Sequence, residues 1–176
     1  MPAAVRPVYA LVVCVLMLLV MSCQQQREVY TPSYVYHRGY TARLVNGKAV
    51  APEHAPLRIK RAIAAANKIV GRPYRRGGGH GRHWDRAYDC SGSVAFVLRE
   101  AGMLGKNSSP TSGDFLRWGR PGFGKWLTVY AKRGHVFLII AGLRFDTSGS
   151  RRGVGPRWYE KSRACGSFKV RHIPGY

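Results

Sequence analysis

The chain has 176 residues, with 29 Lys and Arg against 8 Asp and Glu, a formal net charge of +21, and 45% hydrophobic side chains. That length fits one domain with a real core, and the lack of a visible internal repeat excludes a solenoid. So large a positive charge selects polyanions as partners, namely peptidoglycan carboxylates, teichoic or lipid phosphates, or nucleic acid, unless the arginines are simply spread over a solvated surface.

Val8 to Met21 is a nearly unbroken apolar run behind Arg6, too short to span a bilayer comfortably and of the right length for an export signal. Its end, Val20-Met21-Ser22-Cys23, resembles the lipobox of bacterial lipoproteins, which implies cleavage after residue 22 and a lipid on Cys23. An ordinary secretory peptide with an incidental cysteine and a single-pass anchor are the competing readings. Removing residues 1–22 costs only Arg6 among the charges, so the mature chain keeps a net charge one below that of the whole. Export removes most access to nucleic acid, and the strand segments lack the basic pattern interleaved with aromatics that stacks bases. Residues 23–54, rich in Gln, Tyr, Arg and Pro, read as a tether with one weak strand-like run at 42–45.

The domain is expected over 55–176. Leu57, Ile59, Ala62, Ile63, Ala66, Ile69 and Val70 recur at helical spacing, with Pro56 before them and Gly71 after. The glycine cluster Gly77-Gly78-Gly79 with Gly81 marks a loop whose backbone can approach a ligand closely. A second helix starts at Cys90 and stops at Gly102, and a short one is expected over 111–117. Strands are expected over 126–130, 136–141, 144–147 and 167–172, with a tight turn at Gly142 and a basic loop over 149–157. Helices first and an antiparallel sheet afterwards give an α+β fold.

Cys90 is the candidate nucleophile, because the unpaired amides and positive dipole end at a helix start favour a thiolate over a thiol. Gly134-His135 opens a strand and supplies the candidate base, and Asp146 closes the next strand, where it can fix the imidazole tautomer or simply make a turn with Thr147-Ser148-Gly149. Backbone N–H groups at the helix start, that of Cys90 included, are candidate oxyanion donors. Asp89 reads as the helix cap. A Cys90–Cys165 disulfide is the reading that opposes an enzyme. His172 is an alternative third residue if the last strand returns to the site. His80, His83 and Asp85 lack metal-ligand spacing, so no metal and no other cofactor is expected.

Asp89-Cys90-Ser91-Gly92 before a helix and Gly134-His135-Val136 at a strand start resemble the NlpC-type cell-wall cysteine peptidases, a papain-like group. Gly71-Arg72-Pro73-Tyr74-Arg75-Arg76-Gly77-Gly78 is similar to that family's Pro-Tyr-x-x-Gly-Gly segment. Arg99 to Leu104 is similar to its helix end, and Ser109-Pro110-Thr111-Ser112 to its Pro-Arg-Thr-Ser segment. The resemblance covers residues 57–147. Gly122 to Leu127 stands where the family has a Gly-Asp-Leu turn, and Asp146 where its third residue is most often histidine. The resemblance implies a papain-like core, with the nucleophile helix packed on a small antiparallel sheet, and gives Tyr74 a place near the thiolate or oxyanion. It also implies a monomeric enzyme of the bacterial envelope that hydrolyses an amide bond of peptidoglycan stem peptides, commonly that between D-glutamate and a diamino acid. An amidase or acyltransferase on the same scaffold, or a non-catalytic cationic wall-binding lipoprotein, are the alternatives.

Overall fold

Helix α1, Leu57–Ile69, forms because Ile59, Ala62, Ile63, Ala66 and Ile69 return to one face, and that whole face is buried. Leu57 belongs to the same run but is 63% exposed, since it lies at the solvated first turn. Helix α2, Cys90–Glu100, is different: every residue from Cys90 to Leu98 is buried, so it runs through the middle of the core. Burial of this kind contributes about 25 cal/mol per Å² of apolar surface.

The computed structural model describes residues 31–81, 84–148 and 153–176. Among these, two α-helices and a short 3₁₀ turn (Asp114–Arg117) accompany eight strands. Strands β1 (Arg43–Val45) and β2 (Lys48–Val50) form a hairpin of their own. The others are β3 (Arg120–Pro121), β4 (Leu127–Lys132), β5 (His135–Ile140), β6 (Leu143–Asp146), β7 (Arg157–Tyr159) and β8 (Lys169–His172). They make one antiparallel sheet in the order β3-β8-β4-β5-β6-β7. The fold is therefore α+β, as the order of elements predicts.

Alternation along the strands divides the sheet into two faces. Val129, Val136, Leu138, Ile140, Leu143 and Phe145 join α1 and α2 in the main core. The opposite face carries Tyr130 and Phe137, stacked with ring centroids 4.8 Å apart, and packs against Cys165. Strands β5 and β6 meet at a two-residue turn, Ala141-Gly142, with both φ positive (45° and 86°), the hairpin geometry whose twist matches the strands.

Three expectations change. Within the stretch read as tether, residues 31–54 pack onto the domain: Ala42 and Ala49 are buried, Tyr34 Oη donates to the Ala42 carbonyl, and Asn67 of α1 brackets Ala49 through its N–H and C=O. Polar composition hid a hairpin that buries only small side chains. The short helix over 111–117 is a single 3₁₀ turn, and β3 and β7, two and three residues long, were not anticipated. The signal segment 1–22, Cys23 and the start of the tether lie outside the described residues, as do His83 and residues 149–152 of the basic loop. No helix among the described residues is long and apolar enough to cross a membrane.

Candidate active site

Asp89 stops the extended chain and starts α2: its backbone is extended (φ −89°, ψ −176°), and its carboxylate accepts from Gly92 N–H at 2.7 Å. The Asp89 carbonyl takes the Ser93 N–H. The first-turn amides without a partner among the described residues are those of Cys90 and Ser91, and these are the groups able to receive an oxyanion. Cys90 itself is buried and its thiol is free.

His135 arrives from the sheet. It is the first residue of β5, which packs against α2, and its ring feels the Cys90 side chain strongly enough to gain proton affinity from it. Leu138 pairs with Phe145 across the β5–β6 hairpin, so Asp146 falls opposite Phe137 and diagonal to His135 on the same face. The result is a contact of 2.9 Å between His135 Nε2 and Asp146 Oδ1, with the Asp146 side chain wholly buried. Nε2 is thus committed to Asp146, which leaves Nδ1 for the thiol. The alternative role for Asp146 is also present, because the same Oδ1 accepts from Ser148 N–H at 2.9 Å. One oxygen both closes the turn and orients the ring.

Two arginines that the sequence reading did not single out hold the other oxygen. Arg144 and Arg163 donate from Nη1 to Asp146 Oδ2 at 2.9 and 2.6 Å. Arg144 is two residues before Asp146 on β6, so the period of a strand puts both on one face and the pairing was legible. Arg163 comes from the loop before β8 and carried no local signal. Burial alone would lower the affinity of His135 for a proton, but the hydrogen bonds and negative charge of Asp146 and Cys90 outweigh it and push the value up to about 9. Burial likewise opposes an Asp146 carboxylate, yet His135, the Ser148 amide and Arg163 hold its carboxyl below the usual range.

Tyr74 precedes the glycine loop, and its backbone N–H bonds the Gly153 carbonyl. Burial, then the negative charge of Cys90 and of Asp89, push its phenol up. The ring stays 41% exposed. The loop glycines serve a different end from the one expected of them. A Cβ on Gly92 would lie 2.0 Å from the Gly78 carbonyl oxygen, and one on Gly79 would strike the Tyr88 ring, so these positions let the loop backbone lie directly on α2 rather than on a ligand. His80 locks the same contact, with Nε2 3.0 Å from Asp89 Oδ1 and Nδ1 2.9 Å from Ser109 Oγ. Among the described residues no group of three His, Cys, Asp or Glu is placed to hold a metal ion.

Cys165 lies on the sheet's second face, buried with Tyr130 and Phe137, and its thiol is free. His172 on β8 bonds the Gly122 carbonyl through Nδ1 and does not join the Cys90 group. No protein-family model matches the chain, and no curated protein sequence matches it either. The pairing of His135 with Asp146 therefore stands on its own geometry.

Proposed function

We propose that the protein is a papain-like cysteine peptidase that hydrolyses an amide bond of peptidoglycan stem peptides. The reading is carried by one observation: an imidazole held through Nε2 by a buried carboxylate stands on the strand that packs against the helix opened by Cys90, whose side chain raises its proton affinity. A thiolate and an imidazolium so placed stabilise one another, and the thiolate is the attacking form.

In the reaction the Cys90 sulfur attacks the scissile carbonyl carbon, and the developing oxyanion meets the Cys90 and Ser91 amides, with the Tyr74 hydroxyl at hand. The tetrahedral adduct expels the amine, which takes its proton from His135, and a thioester remains. Water then gives a proton to His135 and attacks the thioester carbon; the C–S bond breaks, and thiolate and imidazolium are regenerated. No step calls for a metal or organic cofactor.

The substrate class comes from the resemblance to the NlpC-type peptidases, and the address from residues 1–23: an exported chain, lipid-anchored through Cys23 in the bacterial envelope. Charge supports an anionic surface as the setting. Asp89 and Asp146 are buried, and Asp85 and Glu100 are paired with Arg75 and Lys68, so few carboxylates offset the exposed cations. Digestion of purified peptidoglycan followed by mass measurement of the soluble products tests the reading. Cleaved stem peptides are expected from the wild type and from Cys165→Ser, and none from Cys90→Ala. Products from Cys90→Ala would overturn it.

A further inference from the structure

We propose that Arg163 makes the His135 imidazolium conditional on the Cys90 thiolate, so that capture of the sulfur as a thioester drives the imidazole proton onto the departing amine. The inference rests on the hydrolase reading above and adds a positioning and tuning residue to it.

Arg163 Nη1 lies 2.6 Å from Asp146 Oδ2, 2.6 Å from Ser148 Oγ and 3.3 Å from His135 Nε2. Its guanidinium carbon sits 5.0 Å from the Phe137 ring centroid and 5.3 Å from that of Phe168, so two aromatic faces fix the group beside the imidazole. The Nε2–Oδ1 contact, at 2.9 Å, is shorter than the Nε2–Nη1 contact, so the Nε2 proton goes to Asp146. Arg163 then faces it donor to donor in either protonation state, and it is the guanidinium's positive charge at 3.3 Å that opposes a charged ring.

The charges around the ring give the reason this matters. From β6 come Asp146 and, bound to the same carboxylate, Arg144; from the loop before β8 comes Arg163. From β7, Tyr159 lies under the Arg144 guanidinium, 4.2 Å away, and from β4, Lys132 pairs in register with His135. From α2 comes Cys90, whose charge acts on His135 and on Tyr74. One buried carboxylate thus answers two guanidinium groups as well as His135, and a protonated ring is a third cation on it. Among the described residues, the other group able to bring negative charge to the ring is Cys90, when it is ionised.

Consider what acylation does to that balance. The sulfur lone pair becomes the C–S bond, the C–N bond breaks with its electrons on nitrogen, and the amine accepts the His135 proton. The sulfur now carries no charge. A ring that kept its proton would be a third cation with a single anion near it, so the neutral imidazole is favoured, and neutral imidazole is the base that the following water attack requires. When the thiolate leaves again, the charge that holds the imidazolium returns. Arg163 sets the contrast between the two states.

The test is a titration of the His135 imidazole by NMR in the purified full-length chain, in a Cys165→Ser background, with Cys90 free and with Cys90 capped by iodoacetamide to a neutral thioether. Capping is expected to lower the midpoint by at least one pH unit. In the capped protein, Arg163→Gln is expected to raise it again by about one unit, and Arg163→Lys to leave it near the capped parent. In turnover, Arg163→Gln should lower kcat about tenfold with little change in KM, and Arg163→Lys should recover most of it. An unmoved midpoint on capping overturns the proposal, and that arm needs no variant at position 163. An Arg163→Gln protein that melts earlier but titrates like its parent also overturns it, since the arginine would then be structural only. Neither titration uses substrate, so a failure to cleave peptidoglycan would remove the hydrolase reading and leave this result to be judged separately.

Discussion

Two aspartate–histidine pairs flank Cys90, and they are built for opposite ends. Asp146 and His135 meet at 2.9 Å on neighbouring strands, with the aspartate wholly buried and the ring gaining proton affinity from Cys90. Asp89 and His80 meet at 3.0 Å, but that carboxylate also takes the amides of Gly92 and Gly77 and the Ser91 hydroxyl, and the far nitrogen of His80 goes to Ser109. Every partner of the second pair belongs to the frame that presents Cys90. The difference lies in what the second ring nitrogen is left for: the Cys90 side, in the reading proposed above, or a loop serine. A carboxylate on an imidazole is therefore no mark of catalysis until that nitrogen is accounted for.

The largest expected effect separates the pairs by turnover. His135→Ala should remove hydrolysis by about 10³-fold or more, while His80→Gln should keep activity within about tenfold of wild type, as measured on muropeptides. Equal losses would erase the distinction. Next comes the frame itself: Gly92→Ala puts a methyl into the Gly78 carbonyl and should cost about 3 kcal/mol in denaturant unfolding. At Asp146, Ala should lower kcat about 100-fold and Asn about tenfold, since Asn keeps an acceptor for the ring but loses the charge that stabilises imidazolium. Should His172→Ala lose activity and Asp146→Ala keep it, the third role would pass to β8.

A smaller effect is the dependence on pH. His135 holds its proton up to about 9 against an ordinary 6.5, so its charge stabilises the fold fully below 6.5 and that contribution is lost as pH rises through about 9. Melting temperature between pH 6 and 10 should fall more in the wild type than in His135→Ala, and the alkaline limb of activity should lie in the same range. Asp146 gives the opposite sign: held below the usual carboxylate range, it stabilises above that range and ceases to as acid protonates it. The smallest effect belongs to His80→Gln, about 1 kcal/mol in the same unfolding measurement, from one bond lost in a half-buried network.

The first pair was legible in the sequence because its determinants are local. A tight turn at Gly142 between two alternating strands brings His135 and Asp146 to one face, and Asp89 ahead of an apolar run announces where α2 begins. The α+β order was legible for the same reason. The second pair was not, because His80 reaches Asp89 only through a glycine loop whose path is set by contacts with α2, and Gly78 and Gly79 look the same whether a ligand or a helix lies against them. Arg163 is distant in sequence and has no periodic partner. Strand β7 follows a long basic loop and is three residues long, and the β1–β2 hairpin buries alanines, which leave almost no hydrophobic pattern to read.

The turn between β5 and β6 carries a further consequence. With only Ala141 and Gly142 between the strands, the hairpin acts as a ruler, and a slip of one residue would turn Asp146 toward the main core and Phe145 toward His135. Molecules with the wrong register would therefore lose at least the activity that Asp146→Ala is expected to lose. Specific activity of a preparation would then count correctly folded chains, and lengthening this turn by one residue should reduce that count without altering the rate of those that remain.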